Sequence, residues 1–249
     1  MLNRKEPESV VFRPGINRIF THSWMVLWLI FLLHASVRFG GLYINYLIPI
    51  SMVLMWPLPW LLCPRSVRIE MGFKWTGSWW YVAGPFISIA VLLLTAGITW
   101  WVFGNTDPNW FVQHASTLQE AIANLPQSAS LQSKFLIVTI PALIFSPFGE
   151  EFLFRGIMQI GLLEKFGKST ALRIQAAAFA MVHLAHYGLQ PFQPKLILIW
   201  LPSMFLAGLT FGWIVIKSKS IWCGVLSHAV YNLGMNVIVF LMLPGETGL

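Results

Sequence analysis

Glu150-Glu151-Phe152-Leu153-Phe154-Arg155 places three charged residues inside a stretch that otherwise has the composition of a membrane span. No other residue between Phe135 and Leu163 is charged. On insertion scales, an ionisable side chain at the centre of a membrane helix costs about 2.5–3.5 kcal/mol. Two adjacent carboxylates at this depth therefore indicate a functional site inside a helix bundle.

The composition of the whole chain predicts a membrane protein. Of its 249 residues, 57% are hydrophobic and 10% are charged, whereas soluble domains carry roughly 25% charged residues. The sequence therefore predicts an all-α fold, a polytopic transmembrane helix bundle. The net charge of +7 does not indicate nucleic-acid binding, because the basic residues lie between hydrophobic segments and act as topology determinants. Cys63 and Cys223 lack CxxC spacing and are expected to be free thiols.

Apolar segments of about 20 residues, the length that crosses the hydrocarbon core, predict seven spans. These are 19–37, 43–63, 79–103, 134–160, 171–189, 195–216 and 220–243. Prolines in the second span predict a kink or an early end near Met55. The predicted divisions are a basic cytoplasmic tail at 1–18, a three-span region at 19–103, an external polar loop at 104–133 with a short surface helix near 114–124, a four-span core at 134–243 and an external tail at 244–249.

The placement of basic residues predicts a cytoplasmic N-terminus. Most of the 16 lysines and arginines precede span one or follow spans two, four and six, which is the cytoplasmic side under the positive-inside rule. Arg38, Lys134 and Lys195 fall on the opposite side, and Arg155 falls within a span.

Polar residues of three spans reach similar depths. With a rise of 1.5 Å per residue, Glu150 lies about 15 Å from the cytoplasmic end of span four, His183 about 18 Å into span five and His228 about 12 Å into span seven. Glu151 and Arg155 are spaced i,i+4, which predicts an ion pair on one helix face. Glu150 has no local partner and is a candidate general base. The alternative is that both glutamates have only a structural role and bind partners that hold the helices together.

The histidines and asparagines are divided into candidates for catalysis and residues with a structural role. His183 shares a helix face with Phe179 and lies level with Glu150, which makes it a candidate for catalysis. His228 and Asn232 form an i,i+4 pair that can donate hydrogen bonds to a developing oxyanion, although a polar stripe joining helices is the alternative. The other polar residues of this kind are interpreted as structural or solvated: His22, His34, His114, His186 and Asn236.

The order EExxxR, FxxxH and HxxxN on three spans resembles the CAAX protease and bacteriocin-processing family of intramembrane endopeptidases, related to the type II CAAX prenyl endopeptidases. Here the motifs are Glu150-Glu151…Arg155, Phe179…His183 and His228…Asn232. The resemblance covers roughly residues 134–243, and spans one to three carry no matching motif. It implies that Glu150 and His183 activate a water, that His228 and Asn232 stabilise the oxyanion, and that Glu151, Arg155 and Phe179 give structural support.

Dependence on a metal is left open by the sequence. Glu150, His183 and His228 would be the ligands of a catalytic zinc, which keeps one position for water. Because the chain has no HExxH helix, a glutamate-type mechanism without a tightly held metal is favoured, and no cofactor is predicted with certainty.

The predicted function is hydrolysis of a peptide bond in a membrane-associated protein or peptide that reaches the bundle laterally or from the cytoplasmic side. The predicted partners are this substrate and the lipid bilayer, with no nucleic acid and an open oligomeric state, in a bacterial plasma membrane. One alternative is a non-catalytic membrane scaffold or partner regulator. Another is a proton-coupled transporter, since intramembrane Glu and His occur in proton relays, but the chain shows no inverted repeat.

Overall fold

The computed structural model describes residues 11–20 and 22–243, without the side chains of Asn17, Arg18 and Glu164. The predicted tail at 244–249 and most of the tail at 1–18 lie outside these residues. The described elements are α1 (Pro14–Ile19), α2 (Ser23–Gly40), α3 (Leu47–Met55), α4 (Leu58–Leu62), α5 (Arg65–Glu70), α6 (Trp80–Phe103), α7 (Trp110–Ala123), α8 (Leu131–Glu150), a π-helical segment (Glu151–Met158), α9 (Gln159–Val182), a 3-10 turn (His183–Ala185), α10 (Pro194–Ser218) and α11 (Ile221–Leu241).

The all-α fold class is confirmed, since helices make up the regular structure of the described residues and no strand occurs among them. Five helical segments are long and apolar enough to cross a membrane: Ser23–Gly40, Trp80–Phe103, Leu131–Leu163, Pro194–Ser218 and Ile221–Leu241. Their outward faces carry exposed apolar side chains such as Trp101 and Leu198, as lipid-facing surfaces do. The protein is therefore a polytopic membrane protein.

The second and fifth predicted spans are not single long apolar helices in the structure. The second is divided into α3 and α4, and α3 ends at Met55 as its prolines predict. The predicted fifth span starts within α9, where Gly167 adopts a left-handed backbone with φ +69° that separates the first part of the helix from the part ending at Val182. Neither region meets the length and hydropathy of the other five, so the count of seven stays a prediction.

Helix α7 lies in the segment predicted to be an external polar loop. Asn109 caps it by accepting a hydrogen bond from the Phe111 backbone N–H at 2.9 Å. Trp110 and Phe111 are fully buried, and the helix packs against α8 and α11. This segment is thus a packed part of the bundle rather than a solvated loop, because its amphipathic helix carries two large aromatic anchors.

The long helices pack around the end of α8. Helix α10 contacts α9 and α6, and α11 contacts α6 and α8. The shorter α3 packs against α8 and joins it to α2. Side chains from both halves of the chain therefore converge on Glu150 and the π-helical segment that follows it.

Candidate active site

The first predicted motif lies where α8 changes into a π-helix. Glu150 is the last residue of α8, and Glu151–Met158 continue the chain with a wider turn. π-helical turns are frequent at functional sites. Glu150, Glu151 and Arg155 are all at most 1% exposed, so three ionisable groups lie in the interior and each needs a charged or hydrogen-bonding partner.

Glu150 faces two histidines from separate elements. Its Oε2 lies 3.8 Å from His183 Nε2 and 3.8 Å from His228 Nε2. These distances are too long for direct hydrogen bonds and short enough for a single water to bridge the atoms. Oε2 has no hydrogen-bond partner among the described side chains. The structure therefore brings together the three residues that the sequence singled out at one depth.

The second nitrogen of each imidazole fixes which edge faces Glu150. His183 Nδ1 lies 2.7 Å from the Phe179 carbonyl, and His228 Nδ1 lies 2.9 Å from Glu151 Oε1. Because a carbonyl and a carboxylate only accept, each Nδ1 is the donor. Both Nε2 atoms are left to face Glu150 Oε2 and whatever molecule lies between them.

Glu151 links Arg155 to His228. Its Oε1 lies 2.9 Å from Arg155 Nη1, the i,i+4 ion pair that the spacing predicts, and the same atom accepts the hydrogen bond from His228. The Arg155 guanidinium is centred 4.2 Å from the Phe179 ring centroid, so a cation–π contact adds to the pair. Glu151 thus orients a histidine in addition to balancing a charge, which sequence spacing alone does not reveal.

Helix α11 approaches this pair closely because Gly224 has no side chain. A Cβ at this position would lie 2.9 Å from Glu151 Oε2 and 2.5 Å from Val215 Cγ2. One turn further along the helix, His228 reaches Glu151 from the same face. A small residue at 224 is therefore a condition for the contact between Glu151 and His228.

Asn232 and Asn236 have different surroundings. Asn232 Nδ2 donates to the Ala142 carbonyl at 3.0 Å, and this side chain also lines the cavity beside His228. Asn236 Nδ2 donates to Thr139 Oγ1, and its Oδ1 accepts from His114 Nε2 at 2.9 Å. Asn236 therefore joins helices, as the sequence predicts, whereas Asn232 has one amide hydrogen left for a ligand.

Arg38 has buried partners that the sequence does not predict. The sequence predicts it as a charge beyond the external end of span one, whereas it lies within the last turn of α2 and is 1% exposed. Its external side stays a prediction. Its Nη2 lies 3.4 Å from Glu150 Oε1 and donates to His186 Nε2, and its Nη1 donates to Ser51. One sequence feature could have indicated a buried Arg38: it lies at the end of an apolar segment, one helical turn after another polar residue, His34.

The other histidines are distributed over the bundle. His22 is exposed before α2, and His34 is buried with its ring 6.1 Å from Phe154. His114 on α7 binds Asn236 and accepts from the Tyr187 hydroxyl at 2.7 Å. Burial lowers the pKa of His114, and the hydrogen bond to Asn236 opposes this in part. Its surroundings fit the predicted structural role.

A cavity of about 250 Å³ leads from the two histidines to α7. Its walls are mainly apolar, with Met52, Val138 and Met204 among them, and Leu118 and Ala121 of α7 also line it. The cavity thus joins the candidate site to α7, in the segment predicted to be external. The approach of a substrate laterally or from the cytoplasmic side stays a prediction.

The predicted zinc ligands do not form a metal site in this arrangement. Within 11–20 and 22–243, no group of three or more His, Cys, Asp or Glu side chains has the geometry to hold a metal ion. The Arg38 guanidinium already places a positive charge against Glu150. Both His183 Nε2 and His228 Nε2 lie 3.8 Å from Glu150 Oε2, a separation that one water can bridge.

Residues 132–234 match the family model described as Type II CAAX prenyl endopeptidase Rce1-like. The chain carries an Rce1-like domain of the CAAX protease family. This confirms the family that the three motifs predict, and the matched range contains all of them. No curated protein and no solved structure matches the chain. The Rce1-like domain implies a peptidase, and the buried Glu, His and Arg cluster is compatible with hydrolysis.

Proposed function

We propose that the protein is an intramembrane endopeptidase that hydrolyses a peptide bond in a membrane-associated protein or peptide, with a bacterial plasma membrane as its location. The observation that carries this proposal is Glu150 Oε2, which is buried, has no hydrogen-bond partner among the described residues and faces two imidazole nitrogens at 3.8 Å. A carboxylate and two nitrogens around a gap of this size suit the binding and activation of one water.

In the proposed reaction, Glu150 is the general base and His183 orients the water. The water oxygen attacks the carbonyl carbon of the scissile bond while one of its protons passes to Glu150 Oε2. His183 Nε2 accepts the second hydrogen, since its Nδ1 is committed to the Phe179 carbonyl. The proton on Glu150 is then delivered to the amide nitrogen, the carbon–nitrogen bond breaks, and Glu150 regains its charge.

His228 and Asn232 are proposed to hold the oxyanion of the tetrahedral intermediate. Asn232 has a second Nδ2 hydrogen for this role, because one is donated to Ala142. His228 donates from Nε2 when the ring carries hydrogens on both nitrogens, and Glu150 and Glu151 are the carboxylate partners that such a cation requires. One donor of this kind is typically worth about 2.7–4 kcal/mol of transition-state stabilisation.

The test is a comparison of protein termini in cells that carry the wild type or Glu150→Gln at equal membrane levels. Glu120→Gln is the matched control, because this exposed glutamate on α7 lies outside the cluster. New termini present with the wild type and Glu120→Gln, and absent with Glu150→Gln, would identify substrates and cut sites together. Identical termini in all three strains, with a folded Glu150→Gln protein, would refute the endopeptidase and favour a scaffold.

A further inference from the structure

A second cavity, of about 330 Å³, lies between α5, the start of α9 and the end of α10. It does not include Glu150, His183 or His228. One part of its wall is apolar, with Met71, Ile160 and Val215 contributing side chains. Apolar surface of this kind, next to the membrane-facing ends of helices, suits a hydrocarbon chain more than water.

Three lysines from separate segments meet at this cavity. Lys74 follows α5, Lys168 follows the left-handed Gly167 within α9, and Lys219 follows α10. All three are exposed, and none forms an ion pair with a described acid. Among the described side chains on the lining, Glu70 is the one acid, so these side chains together carry a net positive charge.

Buried polar groups at the same cavity lack partners. Arg155 is fully buried and Gln159 is 4% exposed, and both line the cavity. Arg155 Nε and Gln159 Oε1 have no hydrogen-bond partner among the described residues. Unpaired polar groups in an interior are unfavourable, so the residues that line this cavity include two with unmet hydrogen-bonding capacity next to the apolar wall.

We propose that this cavity binds an anionic phospholipid, with the phosphate group among the three lysines and an acyl chain along the apolar wall. Basic pockets between membrane helices on the cytoplasmic side bind anionic headgroups, and these lysines follow spans two, four and six, on the side predicted to be cytoplasmic. Free phosphate shares the headgroup chemistry but leaves the apolar wall uncovered, which favours the lipid. This site is independent of the proposed peptidase activity.

The experiment measures lipid binding to the purified full chain in a neutral detergent by native mass spectrometry. The probes are phosphatidylglycerol, phosphatidylcholine with the same acyl chains, and inorganic phosphate. The variant K74Q/K168Q/K219Q is compared with K165Q/R173Q/K217Q, which removes the same charge on the same predicted side from residues outside the cavity. Because the altered side chains lie at the surface, both variants are expected to fold.

Phosphatidylglycerol is expected to bind the wild type and the control variant at least tenfold more tightly than phosphatidylcholine does. K74Q/K168Q/K219Q is expected to lose this preference. Its affinity for phosphatidylglycerol should fall about fivefold for each lysine removed. Glu70→Gln is expected to tighten binding, since it removes the opposing charge. Equal losses in both triple variants, no preference in the wild type, or full competition by inorganic phosphate would each overturn the lipid site.

Discussion

Arg155 and Glu150 are both fully buried, yet removing the charge of each has a different consequence. Arg155→Ala leaves Glu151 without its 2.9 Å partner, a defect of about 3–5 kcal/mol in the free energy of unfolding. Glu150→Gln removes the carboxylate partner of Arg38, but it keeps the shape of the side chain and an oxygen that accepts from Arg38, and Arg38 also donates to Ser51 and His186. We therefore expect Arg155→Ala to unfold at a much lower temperature than Glu150→Gln in detergent. Equal unfolding temperatures would contradict the different roles given to Glu150 and Glu151.

Arg38 is expected to act through the position of the Glu150 carboxylate. Arg38→Gln removes the charged partner of Glu150 Oε1, and the resulting misplacement should lower the cleavage rate about 10- to 100-fold. Arg38→Lys retains the charge and should restore part of the rate. The measurement is the initial rate on a substrate identified by the termini comparison, at equal amounts of folded protein. Full activity of Arg38→Gln would exclude this role.

At the scale of elements, the approach of α11 to the π-helical segment can be tested with one methyl group. Gly224→Ala would place a Cβ 2.9 Å from Glu151 Oε2, which should displace Glu151 and with it His228. We expect cleavage to fall about 10- to 100-fold. Gly97→Ala is the matched control, because no atom lies within 4 Å of a Cβ there. Unchanged cleavage by Gly224→Ala would show that the bundle adjusts without moving the histidine.

Helix α7 is expected to depend on its aromatic anchor. Trp110 is fully buried, stacks on Phe111 and lies 4.9 Å from the Trp200 ring. Trp200 Nε1 in turn donates to the His183 carbonyl at 2.9 Å. Trp110→Ala should therefore cost about 3–5 kcal/mol in the free energy of unfolding. The control is Trp101→Ala, whose side chain is 86% exposed, and similar losses in both variants would refute the anchoring role.

The sequence predicts part of the candidate site, but neither the role of Arg38 nor the π-helical segment. The sequence predicts Glu150, His183 and His228 as candidates because ionisable groups in apolar spans are unfavourable and the spacing within each motif is local, and the structure brings the three together. Arg38 was missed because its partner lies 112 positions away and an arginine at a span end is ordinarily a topology charge. The π-helical segment was also missed, since no residue pattern in 151–158 separates it from an α-helix.

At the scale of the whole molecule, orientation remains a prediction of the basic residues. Ser128, in the segment predicted to be external, and Ser169, in a segment predicted to be cytoplasmic, are both exposed. In intact cells, an impermeant maleimide should label Ser128→Cys, and Ser169→Cys should react after permeabilisation. The unaltered protein is the control, because Cys63 and Cys223 are both buried. The reverse pattern of labelling would place the N-terminus outside.

The convergence of four separated parts of the chain on one carboxylate has a consequence for biosynthesis. Arg38 leaves the ribosome early, Glu150 and His183 follow, and His228 comes from α11, the last described helix. A nascent chain therefore carries an incomplete set of the proposed catalytic groups until that helix has been inserted. Hydrolysis at the proposed site therefore requires that α11 is already in place, so the order of translation sets the earliest moment at which the site is complete.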